Sequence, residues 1–279
     1  MTSKLTLQRF LFSIISLSTA ASAFGAGLGY TNTPFIPGTK WHVHDGDRPQ
    51  PPIVTPGKNF SQQGDAPSDA VVLFNGKDFS KWQGEKGGEV QWKIENDYME
   101  TTKTGRIRTK DEFGDFQLHL EFATPEKVEG NGQGRGNNGV NIYGKYEVQI
   151  LDSYNNPTYP DGQAGGLYGQ TPPLVNASRP PGEWQTYDIL WEAPQWDAAG
   201  KLTKKAYITV LHNGVVIHHR KDLTGNTPHQ KVGTYEGADK PTGRYLELYE
   251  HGNPVRFRNI WIRPLGEYDK GAEKKSAGQ

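Results

Sequence analysis

Three polar side chains interrupt an apolar run in the segment KYEVQILDSY, residues 145–154: Glu147, Gln149 and Asp152. In a strand, successive side chains alternate between faces, so Glu147 and Gln149 share one side while Tyr146, Val148 and Ile150 share the other. Asp152 has the wrong parity to join the pair unless a β-bulge intervenes. Carboxyl groups beside an amide can move protons to and from a bound molecule and hold it by hydrogen bonds. The same alternation also describes an ordinary strand with one wetted face, and Asp152 also reads as a strand-ending residue bonded to the turn SYNNPTYPDG. On these residues alone both readings are open.

Other candidates surround this strand. GQGRGNNGV (132–140) carries Arg135, Asn137 and Asn138 on a Gly-rich loop. Glycines let backbone approach a ligand, and an arginine fork can grip vicinal hydroxyls. A plain hairpin turn is the competing reading. Tyr168, bracketed by glycines in GGLYG (165–169), is placed either to stack on a sugar ring or to pack. Arg256 and Arg258 share a face of a late strand, and Arg258 is taken as a candidate binding residue. His218 and His219 are adjacent, face opposite ways and form no chelating pair. His42 and His44, near Asp45 and Asp47, have an i,i+2 metal-ligand spacing but lack a further ligand set, so no metal site is assigned. No cofactor is expected; a calcium ion, common in lectin-like sandwiches, stays open.

The elements that must hold these residues are strands. The chain has 279 residues, with 34 Gly, 19 Pro, 13 Tyr, 11 Phe and 7 Trp, a mixture that points to an all-β domain with aromatic surface. About a dozen short strand-like runs separated by turn signals extend from VVLF (71–74) to VRFRNIWI (255–262), with no convincing helix. Asn213-Gly214 between ITVL and VVIH predicts a type I′ hairpin. The fold expected is a jelly-roll β-sandwich spanning residues 69–265. Ahead of it, residues 24–68 are rich in Pro, Gly and Asn and should run extended, with Trp41, Val43, Ile53 and Val54 packing it on the domain. Residues 266–279 form a polar tail.

The N-terminus reads as a secretory signal peptide over residues 1–23. Lys4 and Arg9 precede the apolar run Phe10–Leu17, and Ala21-Ser22-Ala23 closes it, the run being too short for a membrane span. A periplasmic or secreted bacterial protein is expected. With no cysteine there is no disulfide framework and no lipid attachment site. Lys and Arg number 31 against 31 Asp and Glu, a balance that argues against nucleic-acid or anionic-membrane partners. The pattern sets no oligomeric state.

The ordered string LFNGKDFSKWQ, FQLHLEF, NNGV, YEVQILDS, GGLYG, PPGEWQTYDI, LHNGVVI and HGNPVRFRNIWIRPL resembles the 3-keto-disaccharide hydrolase domain over roughly residues 70–265. That resemblance implies a concanavalin A-like sandwich and cleavage of glycosides oxidised to a ketone at C3. It makes Glu147 and Asp152 the leading catalytic candidates, His251 an acid/base or keto-oxygen partner, and Gln149, Arg135, Asn138, Tyr168 and Arg258 substrate-binding candidates. NNGV stands where the family often has NSG, and LELYEHG where LLQxHG is usual. Glu-x-Gln-x-x-Asp is also similar to the Glu-x-Asp-x-x-Glu row of laminarinase-type retaining glucanases, with the central acid replaced by an amide. A ketone at C3 acidifies the C2 proton and opens an eliminative route that needs a base, an oxyanion partner and an acid. Three functions are therefore weighed: cleavage of 3-keto glycosides, a non-catalytic carbohydrate-binding module, and a retaining glucanase.

Overall fold

A computed structural model describes residues 27–58 and 64–266; the segment expected to be a signal peptide and the tail beyond Gly266 lie outside them. Alternating apolar side chains drive two antiparallel sheets together face to face. The first has eight strands, in the order β13 (Val215–Asp222), β12 (Tyr207–His212), β9 (Gln185–Glu192), β6 (Phe116–Ala123), β15 (Arg256–Pro264), β4 (Tyr98–Glu100) and β3 (Lys93–Glu95), with β1 (Val71–Phe74) also paired to β15. The second has five: β2 (Trp82–Gly84), β5 (Ile107–Thr109), β14 (Leu246–Leu248), β7 (Asn138–Ile142) and β8 (Tyr146–Ile150). A short ribbon of β10 (Gln195–Trp196) and β11 (Leu202–Lys204) completes the strands. The architecture is an all-β, concanavalin A-like jelly-roll sandwich.

The core lies between the sheets. Leu118, Leu120 and Phe122 of β6 and Tyr187, Ile189 and Trp191 of β9 meet Val140, Ile142, Tyr146, Val148 and Ile150 of the five-stranded sheet. Tyr146 and Trp191 meet across the layers as a tilted pair with ring centroids 5.2 Å apart, and the Tyr187 hydroxyl donates to the Gln149 carbonyl at 2.7 Å. Because these inward positions alternate, the outward positions of the five-stranded sheet are left to polar side chains and to Gly139. The hairpin between β12 and β13 turns on Asn213 (φ 51°) and Gly214 (φ 78°), the pair of positive φ values that a type I′ turn demands.

Residues 27–58 lie along the domain through a few points of attachment. Val43 is fully buried, the Arg48 guanidinium donates to the Gln170 carbonyl at 3.1 Å, and Asn176 bridges Pro52 and Val54 by backbone hydrogen bonds. Ile53, expected to pack, is 76% exposed, because the bridge to Asn176 uses its neighbours' backbone and turns its side chain out. His42 and His44 do not converge. The His42 ring bonds the Thr33 carbonyl, while His44 Nδ1 sits 3.1 Å from Asp161 Oδ1 and its backbone N donates to Asp161 Oδ2 at 3.0 Å.

Candidate active site

Strand register assembles the site. Glu147 lies opposite Asn141, Asn141 opposite Glu247, and Glu247 opposite Arg108, so one outward row crosses four strands of the five-stranded sheet. Arg106 shares Arg108's side of the chain, and one strand pair away Gln149 lies opposite Gly139. Over this floor opens a cavity of about 500 Å³, lined among others by Glu147, Gln149, Arg106, Tyr249 and His251. Its far wall is aromatic and comes from three separate segments: Tyr30 ahead of the sandwich, Tyr159 and Tyr168 after β8, and His229 after β13.

Burial sets the charge state of the floor. Glu147 is only 7% exposed, and loss of hydration pushes its carboxyl up to about 8, with Glu247 adding to the rise and Arg106 opposing it. Burial likewise raises Glu247 to about 7, again against the pull of Arg106. The Arg106 guanidinium holds this arrangement together. It lies 4.0 Å from Glu247 and 3.9 Å from Glu85, and 3.9 Å over the Tyr249 ring. Two carboxyls poised near neutrality around one arginine, one of them lining the cavity, are suited to acid–base chemistry at neutral pH.

The wall supplies neutral donors. The Tyr159 and Tyr168 hydroxyls are 2.8 Å apart, and Tyr168 continues to His229 Nδ1 at 3.1 Å. Burial raises both tyrosines well above the ordinary phenol range, and burial with the nearby His44 lowers His229. His251, which also lines the cavity, is lowered too, by burial and then by Arg106, which favours its neutral form. Beneath the wall, His44 and Asp161 are both fully buried, and the His44 ring centroid is 4.4 Å from Tyr159 and 4.5 Å from Tyr168. Removing the carboxylate in Asp161→Ala strands two buried donors. It should lower stability by about 2–5 kcal/mol and speed proteolysis within residues 27–58, read by melting and limited digestion.

The expected residues divide between two cavities, the core and the opposite sheet. Glu147, Gln149, Tyr168 and His251 meet at the cavity, whose rim also holds Asn137. Asp152 does not join them: β8 ends at Ile150, and Asp152 Oδ2 takes a 2.6 Å bond from Arg135 Nε while its Oδ1 accepts from Tyr154 N. Arg135 and Asp152 are thus partners of each other and line a separate cavity of about 180 Å³ with Gly136 and Asn253. Asn138 is fully buried, its Oδ1 accepting from Gly139 N, and it lines neither cavity. Arg258 belongs to the other sheet. It bonds buried Glu121 at 2.7 Å and lies 4.0 Å over the Trp184 ring, beside a His119–Asp188 pair 2.7 Å apart. Among the described residues no group of three or more His, Asp or Glu is arranged to hold a metal ion.

Arg106, Glu247 and Tyr249 were not singled out by pattern. Their signal was present, since RIRT and RYLELYE alternate polar with apolar residues as YEVQIL does. What it lacked was the register that places them beside Glu147.

Residues 69–263 match the family model described as the 3-keto-alpha-glucoside-1,2-lyase-like domain. The chain belongs to this family. Among solved structures it is similar to a protein from Parabacteroides distasonis ATCC 8503 named a "putative glycosyl hydrolase". The two share 43% identity with a TM-score of 0.70, over 78% of this chain and 93% of that one. A second protein of that name and organism is 25% identical with a TM-score of 0.52, over 70% of this chain and 99% of that one. A comparison with curated proteins gives no match. Within this lyase-like family the chain is a glycosidase-type, carbohydrate-active protein, and no helix among its described residues is long and apolar enough to cross a membrane.

Proposed function

We propose that the protein cleaves glycosides carrying a ketone at C3, by elimination followed by addition of water. The observation that carries this reading is Glu147, a buried carboxyl held near pH 8 at the floor of a sugar-sized cavity with Arg106 beside it. Such a carboxylate removes the C2 proton, which the adjacent ketone has acidified. The C–H electron pair becomes an enolate, and Arg106 balances the negative charge on its oxygen. The enolate re-forms the ketone and expels the C1 oxygen, which takes a proton from the Tyr168 hydroxyl. Water then adds across the resulting enone, its oxygen to C1 and a proton to C2. The incoming water returns a proton to Tyr168, and Glu147, after exchange with solvent, supplies the proton to C2. The overall change is hydrolysis of one glycosidic bond.

The test uses a 3-keto disaccharide in D2O. Each turnover should leave one deuterium at C2 of the released keto-sugar, beyond that acquired in an enzyme-free control, and C2-deuterated substrate should turn over several-fold more slowly. Product with protium retained at C2, together with no slowing of the C2-deuterated substrate, would sink the eliminative route. The row's geometry favours a second reading, direct inverting hydrolysis of an unoxidised glycoside. Glu147 and Glu247 stand two strands apart, about 9–10 Å by strand spacing, near the roughly 6.5–9.5 Å that such enzymes use. Release of inverted product from an unoxidised substrate would establish it.

A further inference from the structure

Gly139 sits in the middle of a five-residue buried strand, a place where glycine weakens the sheet. Its backbone gives no reason for it, because its φ is not among the positive values that the chain's other turn glycines adopt. Its hydrogen bonds give none either: its N donates to Asn138 Oδ1 and its O accepts from Tyr249 N, as any residue's would. The reason lies on the outward face. A methyl group added at Gly139 would stand 2.3 Å from Glu147 Oε1, 3.0 Å from its carboxyl carbon and 3.1 Å from its Cγ. The Glu147 side chain starts opposite Asn141, leans diagonally across β7 and rests its carboxyl over the bare Cα of Gly139.

We propose that Gly139 is a positioning residue of the site: its missing side chain is the ground on which the Glu147 carboxyl lies. A side chain at 139 would lift the carboxyl off the sheet, away from Arg106 and toward the cavity opening. The proposal builds on the reading of Glu147 as the base, yet part of its test needs no substrate.

Four full-length proteins are compared by thermal melting: wild type, Gly139→Ala, Glu147→Ala and the double variant. Alanine is the better strand residue, so with the carboxyl gone Gly139→Ala should raise the melting temperature by a few degrees. With Glu147 present the gain should vanish or reverse. Equal shifts in both backgrounds would overturn the proposal, as would failure of both alanine-139 proteins to fold, since the glycine would then serve the backbone. A Gly139→Ala protein that folds only when Glu147 is removed supports it.

In turnover, Gly139→Ala should lower kcat by about 10²-fold with KM little changed, because an ångström of misplacement suffices for such a loss. Its pH–rate limb should fall below the wild-type value as the carboxyl regains water. An unaltered kcat and limb would overturn the assignment. If the wild type leaves 3-keto glycosides intact, the reading of the reaction fails while the melts still decide the role of Gly139.

Discussion

Glu147→Gln should abolish most turnover and at the same time make the protein more stable in mild alkali. A positioned base contributes about 10²–10⁴-fold, so kcat/KM on a 3-keto glycoside should fall by about that factor. The amide keeps the shape and the neutral form, and ligand affinity should survive. The gain in stability follows from proton linkage. Burial raises the Glu147 carboxyl from 4.5 to about 8 in the folded chain, so between those values the native state binds more protons than the unfolded one. Native stability therefore declines as pH rises through that window, at about 1.4 kcal/mol per pKa unit, and the penalty is complete above pH 8. The melting temperatures of variant and wild type should coincide near pH 4 and diverge by several degrees at pH 9, the variant being higher. In the wild type, kcat/KM should climb with pH through about 8, as the base form becomes populated. Identical melting curves at pH 9 would show that Glu147 is ionised without cost, and the basis for a tuned base would be gone.

The parts of the molecule legible in the sequence were those governed by neighbours in the chain. Alternation in YEVQIL put Glu147 and Gln149 on one side and the core residues on the other, and Asn213-Gly214 announced its turn. What was illegible depends on which strand lies beside which. Glu247 is separated from Glu147 by a hundred positions, and Arg106 immediately precedes a three-residue strand of the same sheet. Both become site residues only through the order β5-β14-β7-β8. Arg258 shows the converse: its parity was read correctly, but parity does not say which of two sheets carries the strand. Asp152 shows a third limit. A bulge would have returned it to the row, but the strand stops at Ile150 and Arg135 captures the carboxylate locally. The segment before the sandwich was read as a strap on its surface. Tyr30 makes part of that strap a wall of the cavity, held from beneath by His44 and Asp161.

Arg106→Met should be the most damaging change outside the acids themselves, and its signature should be a displaced pH profile. The guanidinium restrains both raised carboxyls, with Arg108 adding to its pull on Glu247, and it also lies against Glu85 and the face of Tyr249. A methionine fills similar volume without charge. Glu147 and Glu247 would then titrate still higher, so the rising limb of kcat/KM should move upward from about 8. The loss should persist at the new optimum, because charge on the developing enolate would have lost its partner; one such donor is commonly worth about 10²–10³-fold. Arg106→Lys separates the two effects. It restores a positive charge and should return the limb most of the way, but it lacks the flat fork and the stacking on Tyr249, so full activity should not return. A methionine variant that loses activity with its pH limb unmoved would mean that Arg106 does not act on Glu147. The tuning of that carboxyl would then have to come from burial and Glu247 alone.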